Sequence, residues 1–441
     1  MEEDKLVKIQ DVNQALEGIG EWEGNKYSFR YANVGDEITF FTIGKRKRKK
    51  IIVKEHKVLS KIEIPICQYY YKCGGCSAQH LPYASQFIYK TDPLVKFYFE
   101  NHKLESNLAP AQNIVCYRNR MDFAVFPEAI GLRKFGDFRT IVDIERCEIQ
   151  SDWANEELRV CRELVKDYEG LPYHRKLETG YLKYITLRYG FTTHDSLTIF
   201  TFCEEFKDTE WETRFITDVC QKSKANNIVF CYNNKKSEVS ASGNYKVIRG
   251  NHFYMENVME QRFSVPFDSF FQPNPKGFFP ILDTVEKFIA DLEVDTLLDL
   301  FCGNGFFSLL FGRYFKEIYG FENVESSILQ AEQNVKAKYA SKKVLFKRFD
   351  LFQNKLDLNF LTNPVKTVAI LDPPRSGAGK NLISVLNISS IPYILYVSCN
   401  PNLQKEEIEK MSNYRLKSIL FADPFPHTPH FESIAVLEQI K

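Results

Sequence analysis

The carboxyl-terminal part of the chain alternates short apolar segments with longer amphipathic ones, and this alternation strongly constrains the fold. Strands without a polar face are buried on both sides, which is typical of a parallel sheet covered by helices. We therefore predict an α/β, doubly wound parallel sheet with helices at Ile281–Leu292 and Ser326–Tyr339. The predicted strands are Thr296–Leu300, Ile318–Phe321, Val344–Phe349, Val368–Leu371 and Ile391–Val397.

A chain of 441 residues fits about three domains at roughly 150 residues each. We expect the divisions 1–60, 61–255 and 256–441. The first has the alternation of a few half-buried strands, as at Tyr27, Phe29 and Tyr31, and so few strands favour a small β-barrel. The second is expected to be mixed and sheet-rich. Its predicted elements are the strands Met121–Phe126, Tyr184–Arg188 and Leu197–Thr201 and a helix near Trp153–Tyr168.

The charge is balanced, with a net value of +1, so any surface for a polyanion must be local. The candidate is Lys45–Lys50, six consecutive cations that form either a solvated run or a contact for phosphates. We see no secretory signal and no apolar run of membrane-spanning length. Eleven cysteines without such a signal indicate a reducing compartment. We therefore expect a cytoplasmic protein without a membrane segment or an obligate protein partner, most simply a monomer.

The segment Asp299–Gly305, with the sequence Asp-Leu-Phe-Cys-Gly-Asn-Gly, lies between a predicted strand and the predicted helix Phe306–Tyr314. Its two glycines let the backbone turn tightly and approach a ligand. Glu322 ends the next strand, where a carboxylate accepts hydrogen bonds from two ribose hydroxyls, and Asp350 ends the third, towards an adenine. A dinucleotide site would need a third glycine, whereas Asp299 suits the amino group of S-adenosylmethionine. The alternative is a tight turn without a ligand.

The segment Asp372-Pro373-Pro374-Arg375 ends the fourth predicted strand of the sheet. Methyltransferases that act on exocyclic amino groups carry an aromatic residue after the two prolines, which stacks on the target base. Arg375 occupies that place here. The segment therefore favours methylation of carbon.

Methylation at C5 of a pyrimidine needs a thiolate that adds to C6 and a base that removes the C5 proton. Cys399 ends an apolar strand in Tyr396–Pro401, and Glu432 precedes the predicted strand Ile434–Leu437. We predict that Cys399 is the nucleophile and Glu432 the base. The alternatives are a buried inert thiol and a surface carboxylate. His427 and His430 are predicted to be structural.

Cys67, Cys73 and Cys76 form a compact group, and Cys147 follows about seventy residues later. Four thiolates suit zinc or a [4Fe–4S] cluster. Zinc sites usually pair two Cys-x2-Cys knuckles, and this chain has only one, so the three-plus-one spacing favours the iron–sulfur cluster. Unliganded thiols are the remaining alternative.

At these residues the sequence strongly resembles the RNA uridine-C5 methyltransferases that make 5-methyluridine in ribosomal and transfer RNA (the RlmD/TrmA family). The resemblance covers nearly the whole chain and includes Phe271-Gln272-Pro273-Asn274, which is similar to the family's Phe-x-Gln-x-Asn motif. It implies a class I, Rossmann-like methyltransferase domain, with Cys399 and Glu432 in the roles given above. Two implied cofactor-site residues depart from the family pattern, because Phe306 and Asp350 stand where asparagine is common or occurs. The cofactor site would comprise Gln272, Phe301, Phe306, Glu322, Asp350 and Asp372.

The resemblance also implies two modules that bind RNA. The first sixty residues resemble a TRAM domain, an OB-like RNA-binding barrel, and the central domain would hold a [4Fe–4S] cluster on Cys67, Cys73, Cys76 and Cys147. Tyr117-Arg118-Asn119-Arg120 is similar to a family motif whose cations would hold the RNA backbone near a flipped uridine. The expected cofactor is S-adenosylmethionine, and the expected partner is ribosomal or transfer RNA. The alternatives are an RNA cytosine-C5 methyltransferase and an inactive iron–sulfur RNA-binding protein.

Overall fold

The structure, a computed structural model, describes residues 4–43 and 50–440. The predicted phosphate contact at Lys45–Lys49 lies outside the described residues, and only Lys50 of that run is placed, at the start of a strand. Among the helices of these ranges, none has the length and apolar character that a membrane crossing requires.

The amino-terminal strands form one antiparallel sheet in the order β3-β2-β1-β4-β5. Their alternate apolar residues meet in a small core that includes Val7, Phe29 and Phe40. Within the described residues the edge strands β3 and β5 do not pair, so closure into the predicted barrel is not confirmed. The strands are β1 Lys5–Val12, β2 Gly18–Trp22, β3 Asn25–Phe29, β4 Glu37–Ile43 and β5 Lys50–Lys57.

Helix α1 (Tyr83–His102) and strand β6 (Asn107–Ala109) lie within the predicted central domain, but they pack on the carboxyl-terminal sheet. Strand β6 pairs in parallel with the strand Tyr414–Ala422. Leu94 and Tyr98 of α1 are buried in the core on one face of that sheet. The contacts of these two elements therefore cross the predicted division between 61–255 and 256–441, because the apolar face of α1 is buried by residues far along the chain.

The central residues form a seven-stranded sheet in the order β13-β12-β11-β10-β7-β8-β9, with α2 and α3 packed against it. Ser151 and Thr209 begin these helices, because each side-chain oxygen accepts a hydrogen bond from a backbone N–H in the first turn. The three predicted central strands and the predicted helix are confirmed. The elements are β7 Arg120–Phe126, β8 Ala129–Lys134, β9 Asp137–Asp143, α2 Asp152–Lys166, β10 Leu182–Tyr189, β11 Ser196–Cys203, α3 Glu210–Lys222, β12 Asn227–Asn233 and β13 Asn244–Arg249.

A two-stranded hairpin, β14 (Phe253–Val258) and β15 (Gln261–Pro266), connects this sheet to helix α4 (Pro275–Ala290). The eight-stranded carboxyl-terminal sheet follows, in the order β18-β17-β16-β19-β20-β22-β21-β6. Its remaining elements are β16 Thr296–Leu300, α5 Phe306–Phe311, β17 Glu317–Glu322, α6 Glu325–Lys338, β18 Lys343–Arg348, β19 Thr367–Leu371, α7 Lys380–Asn387, β20 Tyr393–Ser398, α8 Pro401–Ile408, β21 Tyr414–Ala422 and β22 Glu432–Gln439.

The predicted parallel pairing is confirmed for β16 to β20. Both faces of β16 and β19 are fully buried, whereas most residues of the edge strand β18 are exposed. Leu297 contributes to one core and Leu298 to the other. The sheet is not parallel throughout, however, because β22 lies antiparallel between β20 and β21. The loop 423–431 turns the chain back after β21, a strand that the apolar pattern did not reveal. As a result, β22 begins at the edge where the parallel strands end.

Candidate active site

The predicted site residues converge at the carboxyl edge of the parallel strands. Leu300, the last residue of the loop-bearing strand β16, pairs with Phe321 of β17 and with Leu371 of β19. The residues that follow these positions therefore lie side by side. The edge brings together the glycine loop, Glu322 and Asp372.

Asp299 is held by a residue that the sequence analysis missed. Its Oδ2 accepts hydrogen bonds from the backbone N–H of Ser308, at 3.0 Å, and from the Ser308 hydroxyl, at 2.6 Å. Its buried Oδ1 accepts no hydrogen bond from any described residue. Burial raises the pKa of Asp299 to about 6, and the nearby charge of Glu322 adds to the increase. The carboxyl therefore keeps one acceptor atom that a ligand could use.

The loop after Asp299 has a strained, closely packed backbone. Phe301, Gly303 and Gly305 all have positive φ, of 62°, 52° and 80°. A left-handed conformation costs a residue with a Cβ about 1–2 kcal/mol, so Phe301 is strained. A Cβ on Gly305 would lie 3.1 Å from the Cβ of Ala331 in α6. The Gly303 N–H donates to Oε2 of Glu322, at 3.3 Å, which ties the loop to β17.

The side chain of Phe306 packs into a hydrophobic core. Its ring lies against Phe263, Phe271 and Phe278, with ring centroids 5.3, 5.8 and 6.3 Å apart. The side chain is nearly buried and belongs to that core. The cofactor contact of Phe306 stays a prediction.

Asp350 also has a role inside the protein. Its Oδ1 accepts hydrogen bonds from the backbone N–H groups of Phe352, at 2.9 Å, and Gln353, at 3.1 Å. The Phe352 ring lies 5.5 Å from the ring of Phe301, centroid to centroid. Asp350 thus shapes the turn that packs against the glycine loop.

The predicted cofactor residue Gln272 is held by the central sheet. The side-chain amide of Asn119 donates to the Gln272 carbonyl, at 3.0 Å, and the Asn119 backbone N–H donates to the Pro273 carbonyl, at 2.8 Å. Asn274 donates to the carbonyl of Pro424, at 2.8 Å, in the loop that precedes β22. The segment therefore connects the central residues to the edge that bears Glu432.

Cys399 and Glu432 lie opposite each other across β20 and β22. Ser398 pairs with Ser433 in this antiparallel ladder, so the next position outward sets Cys399 against Glu432. The pKa of Cys399 is raised to about 11, chiefly by burial and also by the charges of Glu432 and Asp372, whereas Arg375 lowers it. Burial also raises the pKa of Glu432 well above its ordinary range, with a further increase from Asp372. Cys399 and Glu432 thus share a buried setting in which Asp372 and Arg375 act on both.

His427 ties its loop to neighbouring segments through backbone hydrogen bonds, as expected for a structural residue. Its N–H donates to the side-chain carbonyl of Gln86 in α1, at 3.0 Å. Its carbonyl accepts from the N–H groups of Ser77, at 2.8 Å, and Ala78, at 3.2 Å. His430 is exposed, and its N–H donates to the hydroxyl of Thr428.

The four predicted cluster cysteines line one cavity of about 570 Å³, together with Arg118, Arg133 and Arg146. Burial, reinforced by the neighbouring thiols, raises the pKa of Cys76 and of Cys147 to about 12. Across residues 4–43 and 50–440, however, no three His, Cys, Asp or Glu side chains form a group that could hold a metal ion. The cavity gathers the thiols, but the predicted iron–sulfur cluster is not confirmed. The four cysteines are Cys67, Cys73, Cys76 and Cys147.

Of the two arginines predicted to hold RNA, one is already paired. The guanidinium of Arg120 lies 2.9 Å from a carboxylate oxygen of Asp122. Arg118 donates through Nε to the carbonyl of Arg120, at 2.9 Å, which leaves its terminal nitrogens free of hydrogen bonds in the described residues. Arg118 is therefore the better placed of the two for a phosphate.

Comparison with known proteins gives matches over almost the full chain. A protein of Leptospira interrogans described as an uncharacterized RNA methyltransferase is 45% identical over 443 residues, which cover 98% of this chain and 96% of that protein. The tRNA (uracil(54)-C(5))-methyltransferase of Pyrococcus furiosus is 30% identical over 428 residues, covering 94% of this chain and 96% of the relative. The sequence profile of the family described as tRNA (Uracil-5-)-methyltransferase matches residues 251–440. The chain belongs to this tRNA (uracil-5-)-methyltransferase family.

Membership of the family confirms the prediction of an S-adenosylmethionine-dependent RNA uracil-C5 methyltransferase. The fold agrees with that of a solved structure, the Pyrococcus abyssi tRNA (uracil-54, C5)-methyltransferase in complex with S-adenosyl-L-homocysteine. The two chains superpose with a TM-score of 0.77 at 25% identity, over 98% of this chain and 100% of the other.

Proposed function

We propose that this methyltransferase modifies its uridine through a covalent bond between Cys399 and C6 of the base. The observation that carries the proposal is the position of Cys399 opposite Glu432, at the edge that also bears the glycine loop. A nucleophile and a base on neighbouring strands can reach the two adjacent ring carbons C6 and C5.

In the proposed sequence, the Cys399 thiol first gives its proton to solvent water, and the thiolate sulfur bonds to C6. The electron pair of the C5=C6 double bond moves towards the C4 carbonyl oxygen as an enolate, and C5 gains nucleophilic character. C5 then takes up the methyl group that bound S-adenosylmethionine would supply, with S-adenosylhomocysteine as the leaving group. Glu432 then accepts the proton from C5, the double bond forms again, and the C6–S bond breaks to release Cys399.

The electrostatics of the site suit this division of roles. The raised pKa of Glu432 makes its carboxylate a stronger base than an exposed one, which favours removal of a weakly acidic C–H proton. No side chain or N–H of the described residues donates a hydrogen bond to this carboxylate, so it is open to a substrate. Arg375 opposes the increase in the pKa of Cys399 and thereby favours the thiolate.

We infer that Asp299, Glu322 and Gln272 hold the cofactor. The residues fit its chemistry, because the buried Oδ1 of Asp299 lacks a donor and the buried side-chain nitrogen of Asn304 lacks an acceptor among the described residues. The ammonium and sulfonium groups of S-adenosylmethionine are positive, and the acidic groups at this edge attract them. Asp372, at the end of β19, adds a further carboxyl group beside the reacting carbon.

We further propose that the four cysteines hold a [4Fe–4S] cluster. The proposal is supported by the cavity that all four thiols line, since four cysteine thiolates are the usual ligands of such a cluster. Zinc is the alternative, because four thiolates also suit that ion. Of the arginines that line the cavity, Arg133 and Arg146 already pair with carboxylates, so Arg118 is the one that would offset the negative charge of the thiolates. The proposed role of the cluster is structural or in positioning the RNA, since the chemistry at Cys399 needs no electrons.

The remaining proposals concern RNA. We propose an RNA-binding TRAM-like barrel at 1–60, a central domain at 61–255 and a methyltransferase domain at 256–441, in a cytoplasmic enzyme. Helix α1 and strand β6 belong to the central range but pack on the methyltransferase domain.

The cations Lys45–Lys50 and Arg118 would contact phosphates of the RNA. Transfer RNA is the proposed substrate, because the related Pyrococcus enzymes are named for uracil 54 of tRNA.

The test is methyl transfer from labelled S-adenosylmethionine to transfer RNA and, separately, to ribosomal RNA, with the products analysed as nucleosides. We expect label in 5-methyluridine with the wild-type protein and none with Cys399→Ala. Label in ribosomal RNA alone would show that the substrate is ribosomal RNA and not transfer RNA. Label in 5-methylcytosine, or an active Cys399→Ala variant, would contradict the proposal.

A further inference from the structure

Outside the active site, two aromatic rings stand exposed beside the cysteine cavity. Phe135, at the tip of the β8–β9 hairpin, is 49% exposed, and Tyr71, in the cysteine segment, is 55% exposed. The Phe135 N–H donates to the carbonyl of Lys72, at 3.2 Å, so the two segments are in direct contact. Exposed aromatic rings lose favourable burial unless another molecule covers them.

The rings are fixed in place by Arg30. Its guanidinium lies 3.5 Å from the centroid of the Phe135 ring and 4.9 Å from that of Tyr31. It also donates to the carbonyl of Cys76, at 2.7 Å. Tyr31 in turn contacts the ring of Tyr71 edge-on, at 5.0 Å. We call Arg30, Tyr71 and Phe135 the stacking platform.

Cations surround the platform. Lys72 and Lys134 are exposed next to the two rings, and Arg139 is exposed on the following strand, β9. The nearest acidic residue on this hairpin, Asp137, accepts hydrogen bonds from the N–H of Arg139, at 3.1 Å, and from the hydroxyl of Thr140, at 2.6 Å. The net charge of the whole chain is only +1, so this concentration of positive charge is local.

Rings flanked by cations match the chemistry of a single-stranded nucleic acid. An aromatic side chain stacks on an unpaired base, and neighbouring lysines contact the adjoining phosphates. Bases within a duplex are already stacked and cannot reach such rings. An acidic protein surface would match the cations alone. A single-stranded nucleic acid also carries flat bases at regular intervals along its phosphate chain, which match the rings.

We propose that the stacking platform binds unpaired nucleotides of the RNA substrate, away from the uridine that is methylated. This inference rests on the proposed function, because it takes RNA as the substrate. The inference adds a requirement on the RNA substrate, which must carry a single-stranded or loop segment in addition to the target uridine.

The test measures RNA binding rather than methylation. A fluorescent, single-stranded oligouridylate and a blunt RNA duplex of the same length are titrated with wild-type protein, Phe135→Ala and Tyr71→Ala. Each variant is expected to bind the single strand about tenfold more weakly, with duplex binding unchanged. Phe135→Trp should restore binding of the single strand. Tyr245→Ala is the matched control, since Tyr245 is 49% exposed on the edge strand β13, and it should bind as the wild type does.

Wild-type affinity of both alanine variants for the single strand would overturn the inference, as would an equal loss for strand and duplex. Each ring is only about half exposed and has neighbours in the fold, so thermal unfolding is measured for every variant and binding is compared at a temperature at which all of them are folded. Failure of the proposed function would give a different pattern, in which the rings affect binding but the wild-type protein forms no 5-methyluridine.

Discussion

Lys90 Nζ lies 2.9 Å from Oδ1 of Asp423, and neither side chain has any exposed surface. The ammonium also donates to the carbonyls of Phe425, at 3.2 Å, and His430, at 3.3 Å. Both carbonyls lie in the loop 423–431, which leads directly into Glu432. Helix α1 therefore fixes the position of the proposed base through one buried cation.

We predict that Lys90→Met destabilises the protein by about 3–5 kcal/mol, because it leaves the Asp423 carboxylate buried without its partner. Urea unfolding measures the change in free energy. Methyl transfer should slow in the fraction that remains folded, while the affinity for S-adenosylmethionine stays unchanged. Lys96→Met is the control on the same helix, since Lys96 pairs with Asp92 at the exposed surface, and its unfolding should match the wild type. Equal unfolding of both variants would show that the buried pair has no such role.

The glycine loop offers a matched pair of substitutions. Gly303 and Gly305 both have positive φ, but a Cβ on Gly303 meets no atom within 4 Å, whereas one on Gly305 lies 3.0 Å from Cγ2 of Val335. Gly303→Ala should cost about 1–2 kcal/mol of unfolding free energy through backbone strain. Gly305→Ala should cost about 1–3 kcal/mol more, because α6 must shift. Thermal unfolding of both variants checks this, and a smaller loss for Gly305→Ala would count against the close packing.

The rate at which Cys399 reacts should depend on pH, because only the ionised thiol reacts. The rate should also depend on Glu432, because the charge of that carboxylate raises the pKa of the thiol. With a pKa of about 11, Cys399 is largely protonated at neutral pH, so its alkylation by iodoacetamide should accelerate steadily between pH 7 and pH 10. Glu432→Gln removes a carboxylate that raises this pKa, so the alkylation curve should move to lower pH. Mass spectrometry of the Cys399 peptide measures the rate, with Cys399→Ser as the blank. A curve that moves to higher pH would contradict the arrangement.

Cofactor affinity should weaken in acid. Burial, with the charge of Asp299, raises the pKa of Asp372 to about 7, and burial raises that of Asp299 to about 6. Below these values the carboxyls are neutral and attract the positive cofactor less, so the dissociation constant should rise by up to about tenfold per pH unit. Asp372→Asn should flatten the profile near pH 7. Isothermal titration calorimetry from pH 5.5 to 8 measures it, and an unchanged profile in that variant would contradict the role of Asp372.

Asp372 should also affect the protein without its cofactor. A carboxyl with a raised folded-state pKa contributes stability below its unfolded pKa of 3.8, and that contribution is lost as pH rises towards 7. Asp372→Asn carries no such charge. The ligand-free variant should therefore unfold at a higher temperature than the wild type at pH 8.

Much of the sheet could be predicted because its strands are buried on both faces, which leaves a local signature of apolar runs. Strand β16 begins and ends as predicted, and α6 differs from its predicted range by one residue at each end. The antiparallel direction of β22 could not be predicted, since it depends on the pairing of β22 with β21. For the same reason, the packing of α1 and β6 on the third unit was missed, as their partners lie about three hundred residues away.

The site divides in a similar way. Asp299 and Glu322 lie at the ends of strands, and Asp372 and Cys399 follow strands directly, so local sequence places all four at one edge. Residues that support the site were missed, because Ser308, Asn119 and Lys90 act through contacts that only the folded chain creates. The cofactor contact of Phe306 stays a prediction. Its position after the second glycine predicts such a contact, whereas its ring packs into the core at the start of a buried helix.

The most direct test of the central claim is the capture of the bond between Cys399 and the RNA. Transfer RNA transcribed with 5-fluorouridine has no C5 proton for Glu432 to remove, so the adduct should persist after methyl transfer. With S-adenosylmethionine, the wild-type protein should form a complex that survives denaturing electrophoresis. Mass spectrometry should locate the modified nucleotide on Cys399, and Cys399→Ser should form no complex. An adduct on another residue, or methylation of ordinary RNA with no adduct on the fluorinated one, would contradict the account.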